Sequence, residues 1–511
     1  MQVTLADPII EVTDWTPDLD ALGEFVQRVR KTPAEMKAEK EAWLAKTGRA
    51  KKSVKPTRDV PHTCISKKPG DDTVAYFLPG LWPRVKATLD AQGRKYTIVD
   101  KRDPKKRPPL DMSAFDGVTF RERQDVAIAM IASSDCGIIE ANTGWGKSLI
   151  LSLLCKAYPT LNIVITTNAV SVVNTLYDYL RQIIPNEVGV IGGGRDNIGG
   201  KRVVISTIKS LPNIPAEPVD LVFVDECHCV GLGEASQNLM RFCWARRFGF
   251  SASPIRNDGT QLMMESLLGP SLLKMEYHEA VDAGMVTPMK YLMLPCNNSI
   301  PGSGNPSLPD YLKKRLSYWC NKARNVAIKQ FVCDLKKVYD GQILIFVSTI
   351  EHAIRLHMLL PWFKVACYGG YDKEQLEKKF PKERYPNLEL SNYKLTAKQL
   401  DIMRAAFGKG TLRYLIATKT LKQGCNFPHL ACLIRADGDV SDIENTQIPG
   451  RLSRLDDDKT WAYLVDVMDT FSEWALRRSI DRENFYKGQK WQKVTYQEAI
   501  DGLAEQSRKN G

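Results

Sequence analysis

Short apolar runs separated by segments of helical length recur in two series along the chain, and this rhythm constrains the fold most strongly. The first series is Cys136–Ile139, Ile163–Thr166, Val203–Ser206, Leu221–Val224 and Phe248–Ser251. The second series is Ile343–Val347, Val365–Tyr368, Tyr414–Ala417, Leu430–Arg435 and Trp461–Val465. Fully apolar strands that alternate with helices are typical of parallel sheets covered on both faces. We therefore predict an α/β fold with two tandem parallel-sheet lobes.

Changes in composition predict the domain boundaries. A segment rich in proline, glycine, serine and asparagine, Cys296–Asp310, separates the two series and favours a loop. The predicted parts are an α+β accessory domain at 1–110, a first lobe at 111–295, a second lobe at 296–470 and a C-terminal extension at 471–511. The charged segment Glu374–Gln399 is predicted to be an insertion into the second lobe.

The first 110 residues differ in composition from the lobes. Their patterns predict helices at Pro33–Lys46 and Trp82–Gln92, strands at Val74–Leu78 and Tyr96–Val99, and a proline-rich linker at Asp103–Leu110. Basic residues concentrate at 28–58 and again at 101–107. Two interpretations stay open, namely a domain that recognises nucleic acid and a domain that only packs on the first lobe.

The charge balance favours a polyanionic partner. The chain has 71 Lys and Arg residues against 59 Asp and Glu residues, a net charge of +12, and a cationic surface attracts phosphate backbones. No window approaches about 18 consecutive apolar residues, so we predict no membrane span. The N-terminal residues do not match a secretory leader, and no cysteine pair has C-x-x-C spacing. We therefore expect a cytoplasmic protein with reduced thiols, and no metal site at Cys227–Cys229.

The strongest local motif is Ala141-Asn-Thr-Gly-Trp-Gly-Lys-Ser148, which follows an apolar strand and opens the helical segment Leu149–Cys155. This strand–loop–helix context is typical of a phosphate-binding loop. Backbone N–H groups of Thr143, Gly144, Trp145 and Gly146 would cradle phosphates at the helix N-terminus. Lys147 would neutralise the β- and γ-phosphate oxygens of ATP, and Ser148 would ligate Mg²⁺.

Two carboxylates follow the buried strand of Leu221-Val-Phe-Val-Asp-Glu-Cys-His228. After a phosphate-binding loop, such a pair predicts that Asp225 holds the Mg²⁺ and that Glu226 orients and deprotonates the attacking water. Taken alone, the pair would fit an ordinary capped strand end as well.

The segment Asp225-Glu226-Cys227-His228 resembles the DExH box of superfamily 2 helicases, and further motifs follow in that family's order. The resemblance implies two RecA-like lobes, and ATP and Mg²⁺ as cofactors. It further implies that Gln124, with Arg121, contacts adenine, and that His228, Ser251 and Ser253 couple the ATP state to the grip on nucleic acid. The nucleic-acid contacts that it implies are Thr166, Thr167, Asn168, Ser206, Thr207, Lys209, Ser348 and Thr418.

The C-terminal motifs resemble those of the same family. Gln447-Ile-Pro-Gly-Arg-Leu-Ser-Arg454 has its Q-x-x-G-R-x-x-R pattern, which implies catalytic roles for Gln447, Arg451 and Arg454. Arginines one helical turn apart can share a face and stabilise the charge that develops on the transferring phosphoryl group. Gly424 and Asn426 fall in the preceding motif, which usually ends in an acidic residue where this chain has Asn426.

Within the superfamily the chain is most similar to phage UvsW-type recombination helicases and XPB-like translocases. That similarity extends upstream through Tyr76-Phe-Leu-Pro-Gly-Leu81. It implies a DNA helicase or translocase in a bacterial or phage-infected cell, acting on duplex, branched or single-stranded DNA, with single-strand-binding or recombination proteins as further partners. Three alternatives stay open: a DExH RNA helicase, the motor subunit of a restriction-type complex, and a binding protein that uses ATP only as a switch. Aromatic residues of the tail, from Trp474 to Trp491, would either stack on bases or pack on the second lobe.

Overall fold

The computed structural model describes residues 1–30, 35, 38–39, 41–42, 57–141, 144–252, 254, 256, 258–298, 305, 307–367, 373–418, 427–440, 449–453, 455–456 and 459–509. The chain forms two compact units. The first comprises Met1–Asn142 and Gly146–Met275, and the second comprises Thr143–Trp145 and Glu276–Gly511. In the described ranges, no helix has the length and apolar character needed to span a membrane.

The N-terminal part of the first unit is built on a mixed five-stranded sheet. Its strands are β1 (Gln2–Leu5), β2 (Ile10–Val12), β5 (Ser66–Lys68), β6 (Asp71–Phe77) and β7 (Thr97–Asp100), in the order β5-β6-β2-β1-β7. Helix α1 (Trp82–Ala91) covers this sheet, and its buried Val85 and Leu89, four residues apart, lie on one helical face. These elements confirm the predicted strands near 74–78 and 96–99 and the predicted helix near 82–92.

A second N-terminal feature is a two-stranded antiparallel ribbon of β3 (Glu24–Arg30) and β4 (Thr57–Thr63), paired from Glu24↔Thr63 to Arg30↔Thr57. We call it the N-terminal ribbon. The sequence analysis did not predict these strands, because their many polar and basic residues hide the alternation. The predicted helix at Pro33–Lys46 lies largely outside the described residues.

The predicted linker Asp103–Leu110 is anchored to its surroundings. It forms a short 3₁₀ turn at Pro104–Lys106. Arg107 reaches Asp135 of the first lobe at 2.6 Å and Asp7 of the N-terminal sheet at 3.0 Å. The segment thus connects the accessory domain to the first lobe, as predicted for a linker, and the ion pairs of Arg107 hold it against both.

The first lobe is an eight-stranded sheet in the order β11-β10-β12-β9-β13-β14-β8-β15. All its neighbours are parallel except β10 and β11. The strands are β8 (Cys136–Glu140), β9 (Ile163–Thr167), β10 (Val188–Gly192), β11 (Arg195–Asn197), β12 (Val203–Thr207), β13 (Leu221–Asp225), β14 (Arg246–Ser251) and β15 (Ser271–Lys274). The helices are α2 (Gln124–Ser133), α3 (Lys147–Ala157), α4 (Val170–Ile183), α5 (Glu234–Met240) and α6 (Gln261–Leu268). The five predicted apolar strands of the first series are confirmed.

The second lobe contains a seven-stranded, fully parallel sheet in the order β18-β19-β17-β20-β21-β16-β22. Its strands are β16 (Met289–Cys296), β17 (Gln342–Phe346), β18 (Lys364–Ala366), β19 (Tyr414–Ala417), β20 (Leu430–Arg435), β21 (Ala462–Asp469) and β22 (Gln492–Lys493). Its helices are α7 (Tyr277–Asp282), α8 (Asp310–Lys314), α9 (Lys322–Lys336), α10 (Ile350–Leu359), α11 (Lys373–Lys379), α12 (Ala397–Gly408), α13 (Glu473–Gly488) and α14 (Tyr496–Lys509). The second series of predicted strands is confirmed.

Two domain boundaries differ from the prediction. Strand β16 pairs with β21, so the second sheet already begins at Met289 and the loop-forming residues follow its first strand. The segment Glu374–Gln399, predicted as an insertion into the second lobe, contributes the buried Leu376, Phe380 and Tyr393 to the core of that lobe. The tail from residue 471 also belongs to this lobe, because β22 pairs with β16.

The aromatic side chains of the C-terminal tail pack on the second lobe and are not free to stack on bases. Tyr486 and Trp491 lie in the core with their rings 5.2 Å apart, and Trp474 stacks on Tyr318 at 5.7 Å. Burial of such large rings stabilises α13 against the sheet. Of the two alternatives for the tail, the structure supports packing on the second lobe.

A fully buried ion network fixes α13 to β21. Asp466 accepts hydrogen bonds from Arg482 Nε at 2.7 Å and Nη2 at 3.1 Å, and from the Tyr486 hydroxyl at 2.6 Å. Burial alone would raise the pKa of Asp466, but the charges of Arg482 and Arg435 hold that pKa below its ordinary value. The carboxylate is therefore ionised and compensated inside the lobe.

Replacing Asp466→Ala should destabilise the second lobe by about 3–5 kcal/mol, because the Arg482 charge would stay buried without its main partner. Urea unfolding followed by tryptophan fluorescence measures the change. Glu473→Ala is the matched control, since its ion pair with Arg477 is three-quarters exposed and such pairs contribute little. Equal unfolding midpoints for the two variants would contradict a stabilising role of the network.

Candidate ATP site at the carboxyl edge of the first sheet

Three neighbouring strands bring the predicted catalytic segments to one edge of the first sheet. The three strands are neighbours in the order β13-β14-β8. The segment Asp225–His228, called the DECH segment below, begins at the last residue of β13, Ser251 ends β14, and the phosphate-binding loop follows β8. Because these strands are parallel, their carboxyl ends lie at the same edge, where open α/β sheets bind their ligands. The fold itself therefore gathers segments that are separated by about 100 residues in the sequence.

The phosphate-binding loop needs glycine at two positions. Gly144 and Gly146 have φ values of +100° and +101°, which L side chains rarely adopt. A Cβ atom on Gly146 would also lie 2.6 Å from Gln124 Nε2. Gln124 is fully buried, and its Oε1 accepts a hydrogen bond from the backbone N–H of Arg121 at 2.9 Å. Gln124, the predicted adenine contact, thus packs directly against the phosphate-binding loop, and its contact with adenine stays a prediction.

Helix α3 starts at the end of this loop and supplies Lys147 and Ser148. The Lys147 ammonium donates a hydrogen bond to the Ala141 carbonyl at 3.1 Å, so the side chain folds back over the loop. Ser148 is exposed. The first-turn N–H groups of a helix have no partners within it, and they carry the positive end of the helix dipole. This combination suits a phosphate chain.

Asp225 is buried at the end of β13, and its Oδ1 has no hydrogen-bond partner in the described structure. Burial raises the pKa of Asp225 to about 6, and the neighbouring Glu226 charge adds to the rise, while Lys147 acts in the opposite direction. A buried carboxylate oxygen without a partner is costly. It is also a hard oxygen ligand of the kind that Mg²⁺ prefers.

Glu226 and His228 lie in a tight turn immediately after Asp225. Glu226 has a left-handed backbone with φ of +56°, and its Oε2 is 3.3 Å from His228 Nδ1. The same ring nitrogen is 3.1 Å from Ser251 Oγ. Burial alone would lower the pKa of His228, but hydrogen bonds with Cys229 and Glu226 raise it to about 9. The structure therefore brings together His228 and Ser251, two of the three predicted coupling residues.

The predicted nucleic-acid contacts divide into buried and exposed groups. Thr166, Thr167 and Ser206 are buried, and their hydroxyls lack hydrogen-bond partners among the described residues. Because their side chains are buried in this structure, these three hydroxyls are not available for direct phosphate contacts here, and their role in nucleic-acid binding stays a prediction. Asn168 and Lys209 are exposed just beyond the ends of strands β9 and β12 and are available to phosphates.

The other predicted contacts have protein partners or little exposure. Thr207 Oγ1 lies 2.8 Å from Ser210 Oγ. In the second unit, Ser348 donates a hydrogen bond to Asp439 Oδ2 at 3.1 Å, and Thr418 is mostly buried. The predicted site residues outside the described structure are Thr143, Ser253, Gly424, Asn426, Gln447 and Arg454, together with the side chain of Arg451.

The sequence analysis missed Arg256, whose guanidinium donates to the backbone carbonyl of His228. Arg256 lies two residues after Pro254, close to the predicted coupling residues Ser251 and Ser253, and Asp258 follows two residues later. An arginine and an aspartate so close to those residues were the signal in the sequence that could have identified Arg256.

Two protein-family models match the chain. Residues 117–256 match the res subunit of type III restriction enzymes, and residues 324–456 match the helicase conserved C-terminal domain. The first match covers the phosphate-binding loop and the DECH segment. The second covers most of the second sheet and the arginine motif.

Named relatives are distant but cover long stretches. The chain is similar to Putative helicase 22 of Sulfolobus islandicus filamentous virus, with 24% identity over 69% of this chain and 64% of that protein, so it spans slightly less than two thirds of this relative. It is also similar to Probable helicase D10 of Escherichia phage T5, with 24% identity over 80% of this chain and 83% of that protein. The DNA 3'-5' translocase XPB2 of Sulfurisphaera tokodaii is 23% identical over 40% of this chain and 48% of its own length.

Solved structures support the fold. A fragment of a putative HsdR subunit of a type I restriction enzyme from Vibrio vulnificus aligns with a TM-score of 0.53 at 16% identity, over 91% of this chain and 83% of that one. S. cerevisiae Dbp5 bound to RNA and ADP BeF3 aligns with a TM-score of 0.53 at 13% identity, over 78% of this chain and 95% of that one. Both family matches, the two parallel-sheet lobes and the helicase relatives place this chain in superfamily 2 of the helicases, a family of nucleic-acid-dependent ATPases.

Proposed function

We propose that the protein is an ATP-dependent DNA helicase or translocase that unwinds or branch-migrates duplex or junction DNA during recombination, repair or fork remodelling. The observation that carries the proposal is the placement of Lys147, Asp225 and Glu226 at one edge of the first sheet, within a family of nucleic-acid-dependent ATPases. The loop glycines and the buried Asp225 oxygen fit a nucleoside triphosphate with Mg²⁺.

Each residue has a distinct role in this proposal. Lys147 neutralises phosphate oxygens, Ser148 and Asp225 hold Mg²⁺, and Glu226 orients the attacking water. When bound, ATP with Mg²⁺ supplies the phosphoryl group whose transfer to water drives movement. The family pattern assigns Arg451 and Arg454 to stabilisation of the transition-state charge, with Gln447 beside them.

DNA is the substrate that the observations favour over RNA. The net charge of +12 suits either nucleic acid. Among the relatives, the XPB2 protein is named a DNA translocase, whereas the likeness to the RNA-bound Dbp5 structure concerns the fold alone. A restriction-type motor is a second candidate, because the first family match is the res subunit of type III restriction enzymes.

Replacing Gly146→Ala should weaken ATP binding by about tenfold or more, since the left-handed backbone costs about 1–2 kcal/mol and the new methyl group would press on Gln124. Titration of a fluorescent ATP analogue measures the affinity. Gly194→Ala is the matched control, because Gly194 also has a positive φ, +83°, but open space around its Cβ position. Equal losses of affinity in both variants would show that the contact with Gln124 is irrelevant.

Replacing Lys147→Ala should reduce ATP hydrolysis by about 100-fold or more, because the loop loses the charge that faces the phosphates. Phosphate release in the presence of duplex DNA measures the rate, and fluorescence anisotropy should show nearly unchanged DNA affinity. The control is Lys156→Ala, an exposed position on the same helix. Persistent hydrolysis in Lys147→Ala would refute the phosphate-binding loop.

A comparison of nucleic acids tests the substrate. ATP hydrolysis should rise by about tenfold or more with duplex or four-way-junction DNA, and less with RNA of equal length. All arms must share one salt concentration, since phosphate contacts weaken steeply with salt. Stronger stimulation by RNA than by any DNA would favour the RNA helicase alternative, and stimulation by linear duplex alone would remove the role at junctions.

A further inference from the structure

Arg256 belongs to the loop that follows β14, and its side chain contacts the turn that contains Glu226 and His228. Its Nη1 donates to the His228 carbonyl, its Nη2 donates to Asp258 Oδ2 at 2.6 Å, and its Nε donates to Thr260 Oγ1 at 2.7 Å. Only 16% of the side chain is exposed. The planar guanidinium, with donors in a fixed fork, serves three acceptors in a defined geometry.

Residues 258–260 of this loop are joined by further hydrogen bonds. Asp258 Oδ1 accepts from the Thr260 hydroxyl at 2.7 Å and from its backbone N–H at 3.1 Å, and Thr260 is fully buried. His228, at the other end, approaches Glu226 and Ser251. A continuous series of polar contacts therefore runs from the catalytic turn to residues 258–260.

The same loop touches the N-terminal ribbon. Gly259 has a φ of +79°, and a Cβ atom at this position would overlap the carbonyl oxygen of Val26 in strand β3. Glycine is therefore required at position 259 for two reasons: the left-handed backbone conformation and the close approach of the N-terminal ribbon. The catalytic turn and the ribbon are thus connected through one short loop.

Helix α6, which begins immediately after this loop, carries the N-terminal sheet domain. Arg84 of α1 forms two hydrogen bonds with Glu265 of α6, at 3.1 and 2.6 Å. Gly80 packs so closely on the backbone carbonyls of Glu265 and Ser266 that a methyl group would not fit. Leu262 packs against the core of the N-terminal sheet. The N-terminal sheet domain is therefore bound to α6, the helix that begins after the loop containing Arg256.

We propose that Arg256 is a positioning residue that links the ATP site to the N-terminal domain, so that nucleic acid bound by this domain sets the rate of ATP hydrolysis. The inference rests on the proposed function in one respect, that nucleic acid stimulates the ATPase. Residues 1–110 are thereby assigned to nucleic-acid sensing, in preference to simple packing on the lobe. Coupling between separate sites can be carried by chains of packed side chains and hydrogen bonds, and the contacts from His228 to Val26 and Arg84 form such a chain.

The test is the ratio of DNA-stimulated to basal ATP hydrolysis in the full-length Arg256→Gln variant. The ratio should fall by about tenfold, because the shorter neutral amide cannot hold both the His228 carbonyl and Asp258. The basal rate of the same variant is the denominator of this ratio, so a loss of hydrolysis that affects both rates equally leaves the ratio unchanged. A merely structural arginine would not change the ratio selectively.

Arg202→Gln is the matched control. Arg202 also donates to backbone carbonyls and pairs with a glutamate, and 14% of its side chain is exposed, but its partners lie around Tyr158 and Glu187. Its replacement should leave the stimulation ratio unchanged. An equal fall of the ratio in both variants would attribute the effect to a general loosening of the lobe and overturn the proposal.

The far end of the link gives a second, independent variant. Arg84→Glu should lower the stimulation ratio, because two carboxylates would then face each other, and adding Glu265→Arg to that variant should restore the ratio by exchanging the charges. The Arg84→Glu variant and the double variant with Glu265→Arg test the proposed link even if Arg256→Gln fails to fold. If no nucleic acid stimulates ATP hydrolysis by the wild-type protein, the proposed function is wrong. If hydrolysis by the wild type, Arg256→Gln and Arg84→Glu is stimulated equally, only the proposed link is wrong.

Discussion

The requirement that both faces of a parallel sheet be buried governs this molecule. Parallel strands need helical crossovers, which cover both faces and leave the strand ends as the exposed edges where polar side chains can gather. In the first lobe this places the phosphate-binding loop, the DECH turn and Ser251 at the ends of three adjacent strands. The chemistry of the site follows from strand order, since no single segment holds a complete set of catalytic groups.

Sequence patterns predicted the buried strands well, because their apolar runs leave few alternatives. They missed those parts of strands that are not apolar. Strand β14 begins at Arg246 and Arg247, two nearly fully buried arginines whose guanidiniums donate to backbone carbonyls such as those of Ser134 and Leu267. A sequence pattern counts such residues as surface positions, because the carbonyls that accept from them come from elsewhere in the fold.

The site was predictable in position but not in exposure. Motif order placed the candidate residues at the ends of buried strands, and these strands are present in the structure, because motif order depends on local strand–loop–helix patterns. It did not indicate that Thr166, Thr167 and Ser206 are buried, since exposure depends on the elements that cover the sheet. The N-terminal ribbon and Arg256 were missed for a related reason. Their importance comes from contacts between segments far apart in the sequence, such as Val26 with Gly259.

Buried aspartates have different charged partners in the two lobes. In the second lobe, Asp466 and Asp437 each face an arginine of the same lobe, and their pKa values are lowered. In the first lobe, burial and the adjacent Glu226 raise the pKa of Asp225, and Lys147 opposes this only in part. Stability alone would favour a close opposite charge beside Asp225, as in the second lobe. Its absence from the described part of the first lobe is a local cost to folding that a bound cation would remove, and proteins retain such costs mainly where function requires them.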